Sequence, residues 1–233
     1  NPDAGSAKKY KIAVIKETLD PDLEGLNPEV RQQILEQITK LKQSGVKVEE
    51  ISIPEVKYAL PAYYVIVPAE ISSNLSRYDG IRYGLKSVGA KDLTETYQKT
   101  RAEGFNSENK LRILIGTYVL SSGYYDANYK KAQQVRTLLI QAFDKAFEKY
   151  DILISPVAPT TAFKFGQSSK DPLQMYLGDI MTVGPSLAGL PAISVPAGFG
   201  STTEMPVGLQ MIAQRAEDQK LLNLSKLLEE NSK

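Results

Sequence analysis

Between Lys11 and Pro54 the chain reads strand, helix, strand, and this order limits the fold more than any other feature. Lys11 to Lys16 (KIAVIK) is a short run rich in β-branched apolar residues, the pattern of a buried strand. Asn27-Pro28-Glu29 then starts a helix. Asn supplies an N-cap acceptor, Pro suits the first helical position, and the acid sits where the helix dipole favours it. Val30, Ile34, Ile38 and Leu41 recur at helical spacing, and Gly45 ends the helix. Val46 to Ile53 is the next strand, closed by Pro54. Two buried strands joined through an amphipathic helix predict an α/β fold, a sheet with helices on its faces.

The rest of the chain adds to this frame. Residues 1–10 are small and polar, and read as a frayed or linker-like N-terminus. Pro61 suits a first helical turn, and Pro68 is expected to break or bend whatever Tyr63 to Val67 begins. Residues 91–104 read as a polar helix ending at Gly104. Glu108 to Tyr150 is helical throughout, with Gly123 a bend or loop point. Asp151 to Ser155 is a strand stopped by Pro156, and 157–172 reads as a long loop. Met175 to Leu187 has no clean period. Ala192 to Pro196 and Val207 to Ile212 are strands, and Leu221 to Leu228 is a closing amphipathic helix.

Composition excludes several function classes. Hydrophobic residues make up 42% and charged residues 24%, enough for a sizeable core. A net charge of +1 leaves no electrostatic footprint for nucleic acid or membrane. The chain has no Cys and no His, which removes thiolate chemistry, imidazole general-base catalysis and the usual imidazole metal sites. No apolar run reaches the length of a membrane span, so no membrane contact is expected. No EF-hand loop, P-loop or dinucleotide fingerprint appears.

Candidate nucleophiles are weak. Ser121-Ser122-Gly123 sits in an apolar helical pattern with no glycine-rich loop to supply oxyanion donors, so small residues in a helix-packing face are expected. Gly184-Pro185-Ser186-Leu187-Ala188-Gly189 has one residue too many for a nucleophile elbow, and reads as turn and packing. Asp126, Asp144 and Glu148 are spaced like a solvated helix face. Two charges stand out. Arg112 lies among Leu111, Ile113, Leu114 and Ile115, and Asp179 lies between Gly178 and Ile180. A charge in apolar surroundings must be paired. The pair reads either as a structural ion pair or as two groups flanking a zwitterion such as a free amino acid. The stretch Tyr63 to Gly84 (YYVIVPAEISSNLSRYDGIRYG) reads as a wall, a pocket or an interface.

That stretch, with LRILIGTYVLSSGYYDANYKKAQQVRTLL, DPLQMYLGDIMTVGPSLAGLPAISVP and MPVGLQMIA, resembles the amidase signature family. Within it, the match is to the A-subunit family of glutamyl-tRNA(Gln)/aspartyl-tRNA(Asn) amidotransferases. The resemblance covers nearly all of 11–233 and implies the C-terminal portion of one amidase signature domain, a mixed β-sheet flanked by helices on both faces. The chain opens on Asn1-Pro2 rather than Met, which fits a portion of something longer. The family's Lys, cis-Ser and nucleophilic Ser lie in its N-terminal half, so the resemblance implies no catalytic residue here and no activity from this chain alone. It assigns L-glutamine to three positions: Tyr63 to the head group, Arg112 to the α-carboxylate and Asp179 to the α-ammonium. Leu111 departs from the basic neighbour often found before that Arg. Arg77, Asp79 and Arg82 are left open between bracing the pocket and facing a partner protein. The implied partners are the amidotransferase B and C subunits, the missing N-terminal half, and misacylated tRNA through the complex. ATP and Mg2+ are expected at the B subunit, with no cofactor on this chain, in the cytoplasm or an organelle matrix. Two alternatives stand beside this reading: a non-catalytic binding or assembly module, and a related amidase with another amide substrate.

Overall fold

In a computed structural model that describes residues 2–166 and 177–230, the strand–helix–strand reading holds. Lys11–Ile15 (β1) and Lys47–Ile51 (β2) pair in parallel, joined through a helix at Pro28–Gln43 (α2). The Asn27 side chain caps α2 by accepting from the Glu29 N–H, and Gly45 turns the chain out at φ +88°. Ile152–Pro156 (β3) pairs in parallel with the other edge of β1. Ala192–Phe199 (β4) and Pro206–Ala213 (β5) form an antiparallel hairpin, and β5 pairs antiparallel with β3. The result is a mixed sheet in the order β2-β1-β3-β5-β4.

The described structure divides into two compact units, Asn1–Leu60 with Arg136–Lys233, and Pro61–Val135. The sheet belongs to the first. Alternation along its strands sends two apolar sets to opposite faces. Ile12, Val14, Ile152, Ile154, Leu209 and Met211 join one core with Val30, Ile34 and Leu41 of α2. Leu221, Leu224 and Leu227 of the closing helix, Asp218–Glu230, enter the same core. On the opposite face, Ala13, Ile15, Leu153 and Ile212 are fully or nearly fully buried. Phe143, from the helix Lys131–Phe147 (α6), lines a cavity of about 120 Å³ there with Ile15, Ser155 and Ile212.

The N-terminal segment departs from expectation. Ala4–Ala7 (α1) is a short helix, capped by Asp3 and packed into the core, with Ala7 wholly buried. The Asp3 N–H donates to Asn223 Oδ1 at 2.8 Å, so contacts distant in sequence order a stretch of low intrinsic preference. The loop expected over 157–172 is described only to Gly166. Its remainder and the start of the Met175 to Leu187 segment lie outside the described residues.

Glu29 gathers distant segments. Its carboxylate accepts from the N–H groups of Thr202 and Thr203 and from the hydroxyls of Thr203 and Thr161. A side chain at the start of α2 therefore fastens the turn between β4 and β5.

The second unit is helical. Ala59–Leu75 (α3) leads into it, followed by Leu93–Gly104 (α4) and Ser107–Leu120 (α5). Of the break or bend expected at Pro68, the break does not occur: Pro68 lies inside α3. Its neighbourhood explains why. Gly116 of α5 lies against Pro68, and a Cβ there would run into the Pro68 carbonyl. The two backbones meet because Gly116 has no side chain, and Ser72 Oγ bonds Thr117 Oγ1 at 3.0 Å beside the crossing. Packing thus holds the helix together where one hydrogen bond is lost. The long helix read over 108–150 is interrupted near Gly123, at φ +85°, before a π-helical turn at Tyr125–Lys130 and then α6.

Two outcomes test these contacts. Burial opposes charge on Glu29, but the backbone and hydroxyl donors outweigh it and hold the carboxyl below its ordinary 4.5. A lowered folded value stabilises fully above the ordinary one and is lost as pH falls through the folded one. Glu29→Gln therefore melts below wild type at pH 7, with the gap closing as the buffer is taken below pH 4.5, read by thermal circular dichroism. Gly116→Ala gains about 1 kcal/mol of helix propensity. It meets a rigid backbone carbonyl, and overpacking of about 1–3 kcal/mol or more dominates. Urea denaturation shows a net loss of stability for this variant.

Candidate functional site

Arg112 sits on α5 one turn after Glu108, and this spacing brings the two side chains onto one face. Arg112 Nε donates to Glu108 Oε1 at 2.7 Å, and Tyr63 of α3 lies near enough to interact with the guanidinium. Partial burial works against the charge. The interactions with Glu108 and Tyr63 overcome it, so Arg112 holds its proton more tightly than an ordinary Arg. Tyr63 is steadied by Tyr64, whose ring meets it edge-on at 5.2 Å. Two of the three positions expected at a zwitterion are therefore neighbours within one unit.

Asp179 belongs to the other unit. It sits in a turn before the short helix Val183–Ala188 (α7), and its carbonyl accepts from the N–H groups of Thr182 and Val183. The Met181 carbonyl, two residues on, accepts from Gln210 Nε2 on β5.

Arg77, Asp79 and Arg82 all make local bonds. Arg77 donates to the carbonyl and side chain of Asn74, at the end of α3. Asp79 accepts from the N–H groups of Ile81 and Arg82 and from the Arg82 guanidinium at 2.8 Å. Those donors, the Ile81 N–H first and the Arg82 guanidinium next, hold its carboxyl below the usual range. Gly80, at φ +82°, closes the same turn, and a Cβ there would strike Thr100. Ile81, Tyr83 and Leu85 of this loop are exposed.

Ser121 and Ser122 lie at the end of α5, not in a packing face. Ser121 is the C-cap, and its hydroxyl donates to the Tyr118 carbonyl. Gly189 ends α7 in the left-handed conformation, so the segment read as turn and packing is a short, largely buried helix closed by a turn. Asp144 pairs with Arg215 at 2.8 Å, and Asp126 reaches Lys130 at 3.6 Å. Among the described residues no group of three or more His, Cys, Asp or Glu side chains is placed to hold a metal. No described helix is long and apolar enough to cross a membrane.

Sequence reasoning missed Glu108, Gln210 and the chain in which Gln133 donates to the Tyr129 hydroxyl and that hydroxyl to Glu70. Only Glu108 carried a signal, its four-residue offset from Arg112. The other contacts join residues far apart in sequence or lie on a face whose neighbours the sequence does not name.

Chemically, the second unit offers a partly buried guanidinium beside a phenol, a pairing that suits recognition of an anion better than nucleophilic attack. The first unit offers an acid on a turn. The chain is 50% identical over 225 residues to the A subunit of glutamyl-tRNA(Gln) amidotransferase from Desulforamulus reducens, covering 97% of this chain and 45% of that protein. The same-named protein of Heliobacterium modesticaldum is 50% identical over 223 residues, covering 96% and 45%. The chain thus spans about half the length of the curated relatives it matches. The crystal structure of the A subunit of glutamyl-tRNA(Gln) amidotransferase from Thermotoga maritima superposes with a TM-score of 0.70 at 38% identity, over 96% of this chain and 42% of that one. Allophanate hydrolase of Kluyveromyces lactis shares the fold at a TM-score of 0.67 and 19% identity, over 95% and 32%. The family model described as Amidase matches residues 1–222, and the chain belongs to that family.

Proposed function

We propose that this chain is the glutamine-binding, C-terminal portion of an amidotransferase A subunit, with no catalytic triad of its own. The observation that carries the reading is Arg112, whose Nε is held by Glu108 at 2.7 Å with Tyr63 beside it. A guanidinium steadied along one edge presents its terminal Nη groups to a carboxylate in a fixed orientation. In this reading Arg112 takes the α-carboxylate of L-glutamine, Tyr63 bonds its head group and Asp179 takes the α-ammonium. The relatives' names, at about half identity over nearly the whole chain, support the amidotransferase part of this reading.

The reaction follows from chemistry supplied outside these residues. A Ser nucleophile of the remaining portion attacks the side-chain amide of glutamine. Backbone N–H groups hold the tetrahedral oxyanion, and ammonia leaves. The B subunit, with ATP and Mg2+, then uses the ammonia to amidate misacylated Glu-tRNA(Gln) or Asp-tRNA(Asn), while the C subunit supports the pair. This chain's own part is to bind and orient, so that the amide carbon lies at a fixed place. Leu114 and Tyr118 of α5 are 68% and 55% exposed, which is consistent with a surface covered by a partner or by the remaining portion. On this view Arg77, Asp79 and Arg82 shape their own loop and present its apolar side chains rather than their own charges.

The test joins this chain to the remaining portion of the Desulforamulus reducens protein and follows ammonia release from L-glutamine. The chain alone releases none, and the joined protein does. Arg112→Ala in the joined protein lowers kcat/KM about 100-fold, as expected when a charge partner is removed from a bound carboxylate. Hydrolysis by the chain alone, or an Arg112→Ala variant that matches wild type, overturns the proposal.

A further inference from the structure

Gln210 is a buried amide on a sheet face whose other buried residues are mostly apolar. It lies on β5, directly across from Ser155 on β3, and is 4% exposed, while Ser155 is 1% exposed. A polar group at such depth is costly unless its hydrogen bonds are made. Gln210 Nε2 donates to Ser155 Oγ and to the Met181 carbonyl, each at 2.9 Å. Ser155 Oγ in turn donates to the Pro156 carbonyl at 3.1 Å.

The second of the Gln210 bonds leaves the sheet. Met181 lies in the turn whose carbonyl at Asp179 accepts from Thr182 and Val183, so the tie falls two residues from the Asp179 side chain. The far end of α7 is held differently. Arg136 Nε donates to the Leu187 carbonyl, and Arg215 Nη2 donates to the Ala188 carbonyl, both at 2.8 Å. Side chains of α6 and of the segment after β5 thus hold one end of α7, and a side chain from the middle of the sheet holds the end bearing Asp179.

We infer that Gln210 is a positioning residue for Asp179: its bond to the Met181 carbonyl sets where the Asp179 carboxylate stands. This rests on the reading of Asp179 as the group that takes the substrate ammonium. The physical reason is leverage. A turn without that tie is free to drift by a fraction of an ångström, and a misplacement of about 1 Å costs on the order of 100-fold in a positioned reaction.

The experiment has two arms. In the first, hydrogen exchange is followed on the full chain and its Gln210→Met variant, which keeps side-chain length and loses the donor. The amides of Thr182 and Val183 exchange about tenfold faster in the variant, while those of β1 and β3 are unchanged. Unchanged exchange at Thr182 and Val183, or equal acceleration throughout the sheet, overturns the inference. In the second arm, the joined protein is assayed for glutamine. Gln210→Met raises KM about tenfold with kcat within about twofold. Ser155→Ala, which keeps the Met181 bond, stays within about twofold of wild type in both. Asp179→Asn separates the two ideas. If it raises KM and Gln210→Met does not, the positioning role fails alone. If Asp179→Asn leaves KM unchanged, the reading of Asp179 fails and the inference fails with it.

Discussion

Strand β3 is where the two ends of the chain meet. Every one of its residues is buried, with β1 parallel on one side and β5 antiparallel on the other. Segments near residue 12 and near residue 212 are thereby locked to Ile152–Pro156. A strand buried on both faces and both edges cannot shift register without turning apolar side chains toward the wrong layer. The core against α2, the cavity beside α6 and the Ser155–Gln210 tie all inherit their positions from that register.

The hydrogen bonds that matter most for placement run from side chains to distant backbone. Glu29 holds the β4–β5 turn, Gln210 holds the turn bearing Asp179, and Arg136 and Arg215 hold the end of α7. Glu29 and Gln210 each join an element of regular structure to a turn, and the two arginines satisfy the last carbonyls of a short helix. Rigid elements with pinned loops are what a binding site needs, because the loops carry the recognising groups and the elements supply their reference frame. The second unit uses a different device. Gly116 against Pro68 lets two helices approach at the point where α3 lacks one of its own hydrogen bonds.

Local signals were legible where the physics is local. The cap at Asn27, the exit at Gly45 and the closing helix appear close to where capping chemistry and apolar spacing place them. The α/β class followed from the same signals, and the sheet is mixed, as the family resemblance implied. Failures came where a tertiary contact outweighed a local preference. Pro68 stays within a helix because α5 packs there, and the N-terminal residues fold because α8, the closing helix Asp218–Glu230, receives them. Ser121 looked like part of a packing face because an apolar period runs through it, yet the chain leaves the helix there.

The sequence by itself determined that this chain has an α/β fold, lacks thiol and imidazole chemistry, and carries Arg112 and Asp179 as charges in apolar runs. Those are properties of residue type and near-neighbour spacing, which the covalent chain carries directly. Only the tertiary structure decided that Arg112 comes beside Tyr63 and that Gln210 reaches the Met181 carbonyl. The Gln210 contact spans 29 residues. No periodicity encodes a contact of that range, because it exists only once strand register and helix packing have placed both groups in the same few ångströms.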